Sequence, residues 1–219
     1  MTMYNYFRAC AALIIVLHLL SPYLPIEHIW GTGGFSTISP LIRLLSAGVA
    51  SLFLWPRLAS AVWAVGLDFW HDVRRLFSRQ ALSVALAVLT IPLFWLGRLG
   101  HLRWGDAYIL ANAISHPEAR LTYNWQAPLD VYLHAQAWSW LNSLWNWDVQ
   151  TTYAAISCLA GGLFVFVLLQ AVTELGRDVS ERATALGLMI TLGSMQLFCG
   201  YVESYTIIPV GIILFLWLG

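Results

Sequence analysis

Long apolar runs separated by short polar stretches dominate the hydropathy pattern of this chain. Because the runs approach the roughly 20 residues that a helix needs to cross a bilayer, we predict membrane-spanning helices. The second run, at 38–55, would continue to 67 only if the helix tolerated Pro56 and Arg57 in its interior. No strand-like alternation occurs, so we predict an all-α, polytopic integral membrane protein with about six transmembrane helices. The six segments are 7–25, 38–55, 81–97, 149–173, 183–202 and 204 onward.

The composition agrees with this membrane location. Hydrophobic residues make up 59% of the chain and charged residues 10%, against about 25% charged in soluble domains, and mean hydropathy is +0.70. Net charge is zero and no basic run occurs, so no nucleic-acid partner is expected. The first segment lacks a small-residue cleavage site, and we interpret it as a retained helix. The last apolar run stops early, which we interpret as the N-terminal portion of a longer protein.

A tryptophan-rich stretch at 129–148 has a helical pattern of its own. Polar residues recur on one face, apolar residues line the other, and indole rings favour the headgroup level. We therefore predict an amphipathic helix lying in the membrane interface; the alternative is a spanning helix whose polar stripe faces protein. The stripe contains Ser139, Asn142, Ser143 and Asn146, and the apolar face contains Leu133, Ala137, Trp140, Leu141 and Leu144.

Clustered arginines indicate which ends of the helices face the cytoplasm. They lie in two polar connections, 68–79 and 174–182. If the tryptophan-rich helix does not cross the bilayer, both connections fall on one side, which the positive-inside rule makes cytoplasmic. The long loop 98–148 and the junction at Glu203 then face outside. If that helix does cross, the loop and Glu203 face opposite sides.

Two carboxylates stand at predicted helix mouths on the outer side. Asp106 precedes the apolar residues 107–110, where it suits contact with a ligand and equally the N-cap of a short helix. Glu203 separates two uncharged apolar runs, and a charge within a bilayer is costly unless it has a function or a partner. Its alternative roles are a charge at the start of the last helix and an internal ion pair. We select Asp106 and Glu203 as the candidate catalytic residues.

A weaker set of residues suits substrate binding. His101, Arg103 and His116 would bind a phosphate or a sugar, and each is equally a solvated loop residue. Tyr201 and Tyr205 are four residues apart, so they share a face if helical, as ligand contacts or as interfacial anchors. No metal-ligand set is assigned, because the three cysteines lie in separate apolar stretches and no HExxH motif, phosphate loop or nucleophile elbow occurs.

The order of these motifs resembles membrane glycosyltransferases of the GT-C superfamily, which includes protein O-mannosyltransferases and bacterial aminoarabinose transferases. Such enzymes have an early Asp in a long outer loop, here "WGDAYIL", and a proline at the entry to an interfacial helix, here "QAPLDVYLHAQAWSWL". A short charged cytoplasmic turn follows, here "ELGRDVSER", and then a helix that ends at an outer acidic residue, here "FCGYVESYTI". The resemblance covers about 82–219. It divides the chain into a two-helix membrane region at 1–80 and a GT-C-like core at 81–219, with the outer loop at 98–148.

The resemblance implies sugar transfer at the extracytoplasmic face of the cell membrane. The donor would be a polyprenyl-phosphate-linked sugar, and the partners would be this lipid, the bilayer and an acceptor of unknown identity. Asp106 would act as general base on the acceptor or orient it, and Glu203 would position the acceptor or a divalent cation, which some members use. Arg103 or Arg120 would stabilise the leaving phosphate.

Two other classes of function stay open from the sequence alone. A transporter would place charged or broken helices at mid-membrane, whereas Asp106 and Glu203 are predicted at helix mouths. A non-catalytic membrane scaffold or subunit would tolerate neutralisation of both carboxylates.

Overall fold

The computed structural model describes residues 3–23, 39–98, 100, 102, 105–116 and 127–219. Regular structure within these ranges is helical and contains no strand, which confirms the all-α prediction. The chain divides into two compact units, Met1–Phe77 and Ser78–Gly219. The candidate carboxylates Asp106 and Glu203 both belong to the second unit.

Among its described residues, the first unit contains three α-helices. Helix α1 spans Met3–Leu20 and continues into a short 3₁₀ turn. Helix α2 spans Pro40–Leu52 and α3 spans Pro56–Leu76. The axes of α2 and the first part of α3 differ by 91°. Pro56 stands at the first position of α3, where its missing N–H is not needed, so the apolar segment predicted at 38–55 stops at Leu52 and a separate helix begins.

The second unit contains a helical bundle and a group of shorter helices at one of its ends. The longest helix among the described residues, α7 (Val149–Leu175), has 27 residues and packs against α4 (Arg79–Leu96) and α9 (Ile207–Leu218). This helix has 15 buried residues and is central to the bundle. A helix that is apolar all round, as this one is, is expected to be buried in this way. The helices of this unit are α4 (Arg79–Leu96), α5 (Ala107–Ser115), α6 (Pro128–Trp145), α7 (Val149–Leu175), α8 (Val179–Ile190) and α9 (Ile207–Leu218).

Two adjacent glycines allow α7 to approach its neighbours closely. A β-carbon on Gly161 would lie 2.6 Å from Cβ of Phe198 and 2.6 Å from Cε2 of Phe94. One on Gly162 would lie 2.6 Å from Cγ1 of Ile91. Small residues at such contacts are the usual means by which membrane helices pack, because lipid tails provide no hydrophobic driving force between helices.

The contacts along α7 define two opposite ends of the bundle. At one end Arg79 donates to the hydroxyl of Thr173, and Nε1 of Trp217 donates to Oε1 of Glu174 at 3.1 Å. Helix α4 is therefore antiparallel to α7, and α9 is parallel to it. The start of α4 and the end of α7, which adjoin the two arginine-bearing connections, meet at this end, as the sequence predicts. Glu203 lies toward the opposite end, just before α9.

Fewer helices qualify as membrane spans than the six predicted. Among the described residues, three are long and apolar enough, at Asn5–Tyr23, Arg79–Leu96 and Val149–Leu175, and the bent α2–α3 pair would make a fourth. The prediction of one helix over 183–202 is wrong. Helix α8 ends at Ile190 and a 3₁₀ turn follows at Gly193–Phe198, because Thr191 donates to the carbonyls of the preceding turn and glycine recurs nearby. Helix α9 has only 12 residues.

Candidate functional site

Glu203 lies in a non-helical segment between the 3₁₀ turn and α9. Its side chain is buried, with 8% exposure. Oε1 accepts a hydrogen bond from the backbone N–H of Ser204 at 2.9 Å, and the Ser204 hydroxyl lies 3.4 Å from the same oxygen. The Glu203 carbonyl accepts from the hydroxyl of Thr206 at 3.1 Å. These local bonds orient the carboxylate and use only one of its two oxygens.

The second oxygen of Glu203 faces the loop that carries Asp106. Gly105 has φ +57°, and a β-carbon on it would lie 2.8 Å from Oε2 of Glu203. Glycine is suited to this position both by its positive φ and by the close approach of the carboxylate. Asp106 is the next residue, so the fold brings the two carboxylates selected from the sequence to the same end of the bundle.

Asp106 occupies the N-cap position of α5, as one alternative predicted, but its side chain makes no capping hydrogen bond. Its backbone carbonyl accepts from the N–H of Leu110 at 2.9 Å, so the backbone alone starts the helix. The Asp106 side chain is exposed. Asp106 therefore sits at the N-cap of α5 without using its side chain there, so its carboxylate can contact a ligand.

Burial and neighbouring charge change the acidity of Glu203. Desolvation raises the pKa of this carboxyl, and the negative charges of Asp106 and Asp130 raise it further. The hydrogen bonds from Ser204 act in the opposite direction without cancelling the rise. Glu203 thus keeps its proton to a higher pH than an ordinary glutamate does.

Asp130, in the first turn of α6, adds a third carboxylate to the group. It interacts with His134 one turn later, whose Nδ1 lies 2.9 Å from the Asp130 carbonyl oxygen and 3.2 Å from Oδ1. The His134 ring stacks on Tyr153 of α7, with centroids 3.8 Å apart and planes 11° from parallel. Asp130 and Glu203 both lie within electrostatic range of Tyr153.

An apolar cluster beneath these polar residues holds them together. Its members come from α5, α6, the start of α7 and the segment before Glu203. Each carboxylate is the sequence neighbour of a cluster member, which is why packing the cluster gathers the carboxylates. The buried members are Ala107, Leu110, Ile114, Val131, Ala135, Val149, Tyr153, Tyr201 and Val202.

Helix α6 crosses the beginning of α7 instead of running along it. His134 lies about 16 Å along α6 from its end at Trp145, whereas its partner Tyr153 lies about 6 Å along α7 from its start. Side-by-side antiparallel helices would pair residues at equal distances from their connection. Leu133, Trp140 and other large side chains of the predicted apolar face are exposed. The placement of α6 in a membrane interface stays a prediction.

The weaker candidates are dispersed. Tyr201 is buried in the apolar cluster, whereas Tyr205 is 54% exposed. They do not share a helical face, because the chain at 201–203 is not helical. His116 is exposed at the end of α5, where its Nδ1 lies 2.9 Å from the Asn112 carbonyl. His101 and Arg103 lie outside the described residues.

Sequence reasoning missed several residues at this end of the bundle. His134 and Tyr153 were not singled out, although Asp130 and His134 are one helical turn apart, which was a readable signal. Arg98 lies two residues after the end of α4. Its guanidinium carbon is 4.7 Å from the Trp95 ring centroid, and its Cγ would lie 2.9 Å from a β-carbon on Gly200. Across the described ranges, no group of three His, Cys, Asp or Glu side chains is arranged to hold a metal ion.

No protein-family model matches this chain, and neither a curated protein nor a solved structure is significantly similar to it.

Proposed function

We propose that this protein is a membrane glycosyltransferase that transfers a sugar from a polyprenyl-phosphate-linked donor to an acceptor at the extracytoplasmic face. One observation carries the proposal. The buried carboxylate of Glu203 lies against Gly105, the residue before the exposed Asp106, at one end of a bundle of apolar helices. Such a pair places an exposed carboxylate, which can act as a general base, beside a buried carboxylate that can hold the acceptor.

In the proposed reaction, Asp106 takes the proton of an acceptor hydroxyl or amide. The acceptor atom then forms a bond to the anomeric carbon of the donor sugar. The bond from that carbon to the phosphate oxygen breaks, and its electron pair leaves with the polyprenyl phosphate. A positioned general base contributes about 10²–10⁴-fold to such a step. Glu203 positions the acceptor through Oε2, which faces the loop of Asp106.

Arg98 is well located to stabilise the leaving phosphate. Arg103 and Arg120, the two arginines favoured by the sequence, lie outside the described residues. Arg98 is exposed, and its side chain approaches Gly200, three residues before Glu203. A guanidinium can bind two phosphate oxygens at once, so we assign this role to Arg98.

The exposed apolar face of α6 supports a lipid-linked donor. Its large side chains are turned away from the rest of the protein. A helix of this kind lies at the headgroup level, which is the depth of the phosphate of a polyprenyl lipid. The donor headgroup would then reach Asp106 without leaving the membrane surface.

Replacing Asp106 by Asn tests the proposal. We expect Asp106→Asn to reduce sugar transfer at least about 100-fold, measured with the full gene product in membranes supplied with radiolabelled polyprenyl-phosphate sugars. Asp148→Asn is the matched control. Asp148 caps α7 by accepting from Thr151 N–H at 2.7 Å, and Asn caps equally well, so activity should persist. Full activity of Asp106→Asn would contradict the base assignment and favour a scaffold.

A further inference from the structure

Three side chains near Glu203 carry buried polar atoms without a hydrogen-bond partner. The atoms are both carboxylate oxygens of Asp130, Nε2 of His134 and the hydroxyl of Tyr153. His134 and Tyr153 are 1% and 0% exposed, so bulk water does not satisfy them. Leaving such a group unsatisfied destabilises the folded protein. Three of them within one stacked, contacting group point to a missing partner.

The unmet capacity at these atoms is mainly that of acceptors. The Asp130 carbonyl can only accept, so Nδ1 of His134 donates to it. Oδ1 of Asp130 is 3.2 Å from the same Nδ1 but receives no hydrogen bond from it. The carboxylate oxygens therefore need donors, whereas the Tyr153 hydroxyl can both donate and accept.

This imbalance selects the chemistry of the partner. A phosphate brings acceptors only, and the carboxylates of Asp130 and Glu203 would repel it. An ammonium group brings donors but nothing that accepts from Tyr153. Hydroxyl groups donate and accept at once, and two neighbouring hydroxyls satisfy a carboxylate and a tyrosine together.

We propose that Asp130, His134 and Tyr153 form a subsite that binds the hydroxyl groups of a sugar. The proposal rests on the proposed function and extends it, because it separates a hydroxyl-binding side of the site from the side of Arg98, where the phosphate binds. The orphan atoms are covered, so the subsite takes the hydroxyl edge of the sugar and not the whole ring.

Binding of simple glycosides to the full chain in lipid nanodiscs tests the subsite. Saturation-transfer NMR with a panel of methyl glycosides reports hydroxyl binding, and citronellyl phosphate reports phosphate binding. We expect Tyr153→Phe to weaken glycoside binding about tenfold, since one hydrogen bond is lost. Tyr132→Phe, on the exposed face of α6, is the matched control and should bind normally. All three proteins should bind citronellyl phosphate equally.

Three results would overturn the subsite. They are the absence of glycoside binding to the unmodified protein, equal glycoside binding by Tyr153→Phe, and loss of citronellyl phosphate binding in that variant. Thermal unfolding without ligand adds a readout that separates binding from structure. Removing an unpartnered hydroxyl should leave Tm unchanged or raise it, whereas a clear fall in Tm would mean that Tyr153 is hydrogen-bonded within the protein and would also refute the subsite.

Kinetics of transfer distinguish the two sources of the sugar. A raised KM for the lipid-linked donor in Tyr153→Phe assigns the subsite to the donor sugar, and a raised KM for the acceptor assigns it to a sugar acceptor. An unchanged KM for both contradicts the subsite. Failure of the proposed function looks different, because Asp106→Asn would then retain full activity while glycoside binding still depends on Tyr153.

Discussion

Replacing Gly161 by Ala tests the close packing on which the position of the site depends. The added β-carbon would lie 2.6 Å from Phe198 and from Phe94, about 0.8 Å short of the 3.4 Å at which ordinary contact begins. Phe198 is fully buried and packs its ring 5.0 Å from that of Phe164, so it has little room to move. We therefore expect overpacking at this crossing.

The expected magnitude follows from two opposing effects. Overpacking a well-packed core costs about 1–3 kcal/mol, and exchanging glycine for alanine within a helix returns about 1 kcal/mol. Gly187→Ala in α8 is the matched control, because nothing lies within 4 Å of its β-carbon position. Both variants gain helix propensity, so their free energies of unfolding should differ by the overpacking cost alone, about 1–3 kcal/mol.

Thermal unfolding of the two variants in the same detergent measures this difference. At about 2–4 °C per kcal/mol for a chain of this size, Gly161→Ala should unfold several degrees below Gly187→Ala. Adding Phe94→Leu to Gly161→Ala removes the ring atom Cε2 that lies 2.6 Å from the new β-carbon, and should recover part of the loss. Equal Tm values for the two alanine variants would refute the packing of α7 against Phe94 and Phe198.

Two further predictions concern the charge of Glu203 and the topology. The pKa of Glu203 is raised in the folded state, so ionisation of this carboxyl opposes folding. The stability that the protonated carboxyl contributes is complete below its ordinary pKa of 4.5, and it is lost as pH rises through the raised pKa of the folded state. Glu203→Gln should therefore gain Tm over the unmodified protein as pH rises through this window, and a constant difference across pH would contradict the pKa shift. For topology, in a background without the native cysteines, Tyr205→Cys should react with an impermeant thiol reagent on intact cells. Arg177→Cys should react only after membrane rupture, and the reverse pattern would overturn the assigned sides.

The predicted span at 183–202 shows where hydropathy misleads. Its residues are apolar enough for a helix, but hydropathy does not register Thr191 or the glycines that end α8 and start a 3₁₀ turn. The same break leaves Tyr201 buried and Tyr205 exposed, although a helix would have aligned them. Local hydrogen bonding and the backbone freedom of glycine therefore determine where the helix ends within 183–202.

Within the site, the sequence identified Asp106 and Glu203 because each is a charge beside apolar runs, and such charges are costly in a membrane. It did not identify His134 or Tyr153 as their neighbours. In the sequence, Tyr153 is indistinguishable from an aromatic residue that only packs in the core. Its stacking on His134 and its unpartnered hydroxyl are seen only in the structure. That information depends on which helix faces which.

The sequence by itself determined the class of this protein and the predominance of helices, because apolar content on this scale requires lipid and backbone groups in lipid must bond within their own helix. It also indicated that the two arginine-bearing ends lie together. Only the tertiary structure decided that Asp106, Asp130 and Glu203 converge. Their proximity depends on contacts between residues that are distant in sequence. One example is the close approach of Glu203 to Gly105, where a β-carbon would collide with the carboxylate. Composition and periodicity do not reveal such contacts.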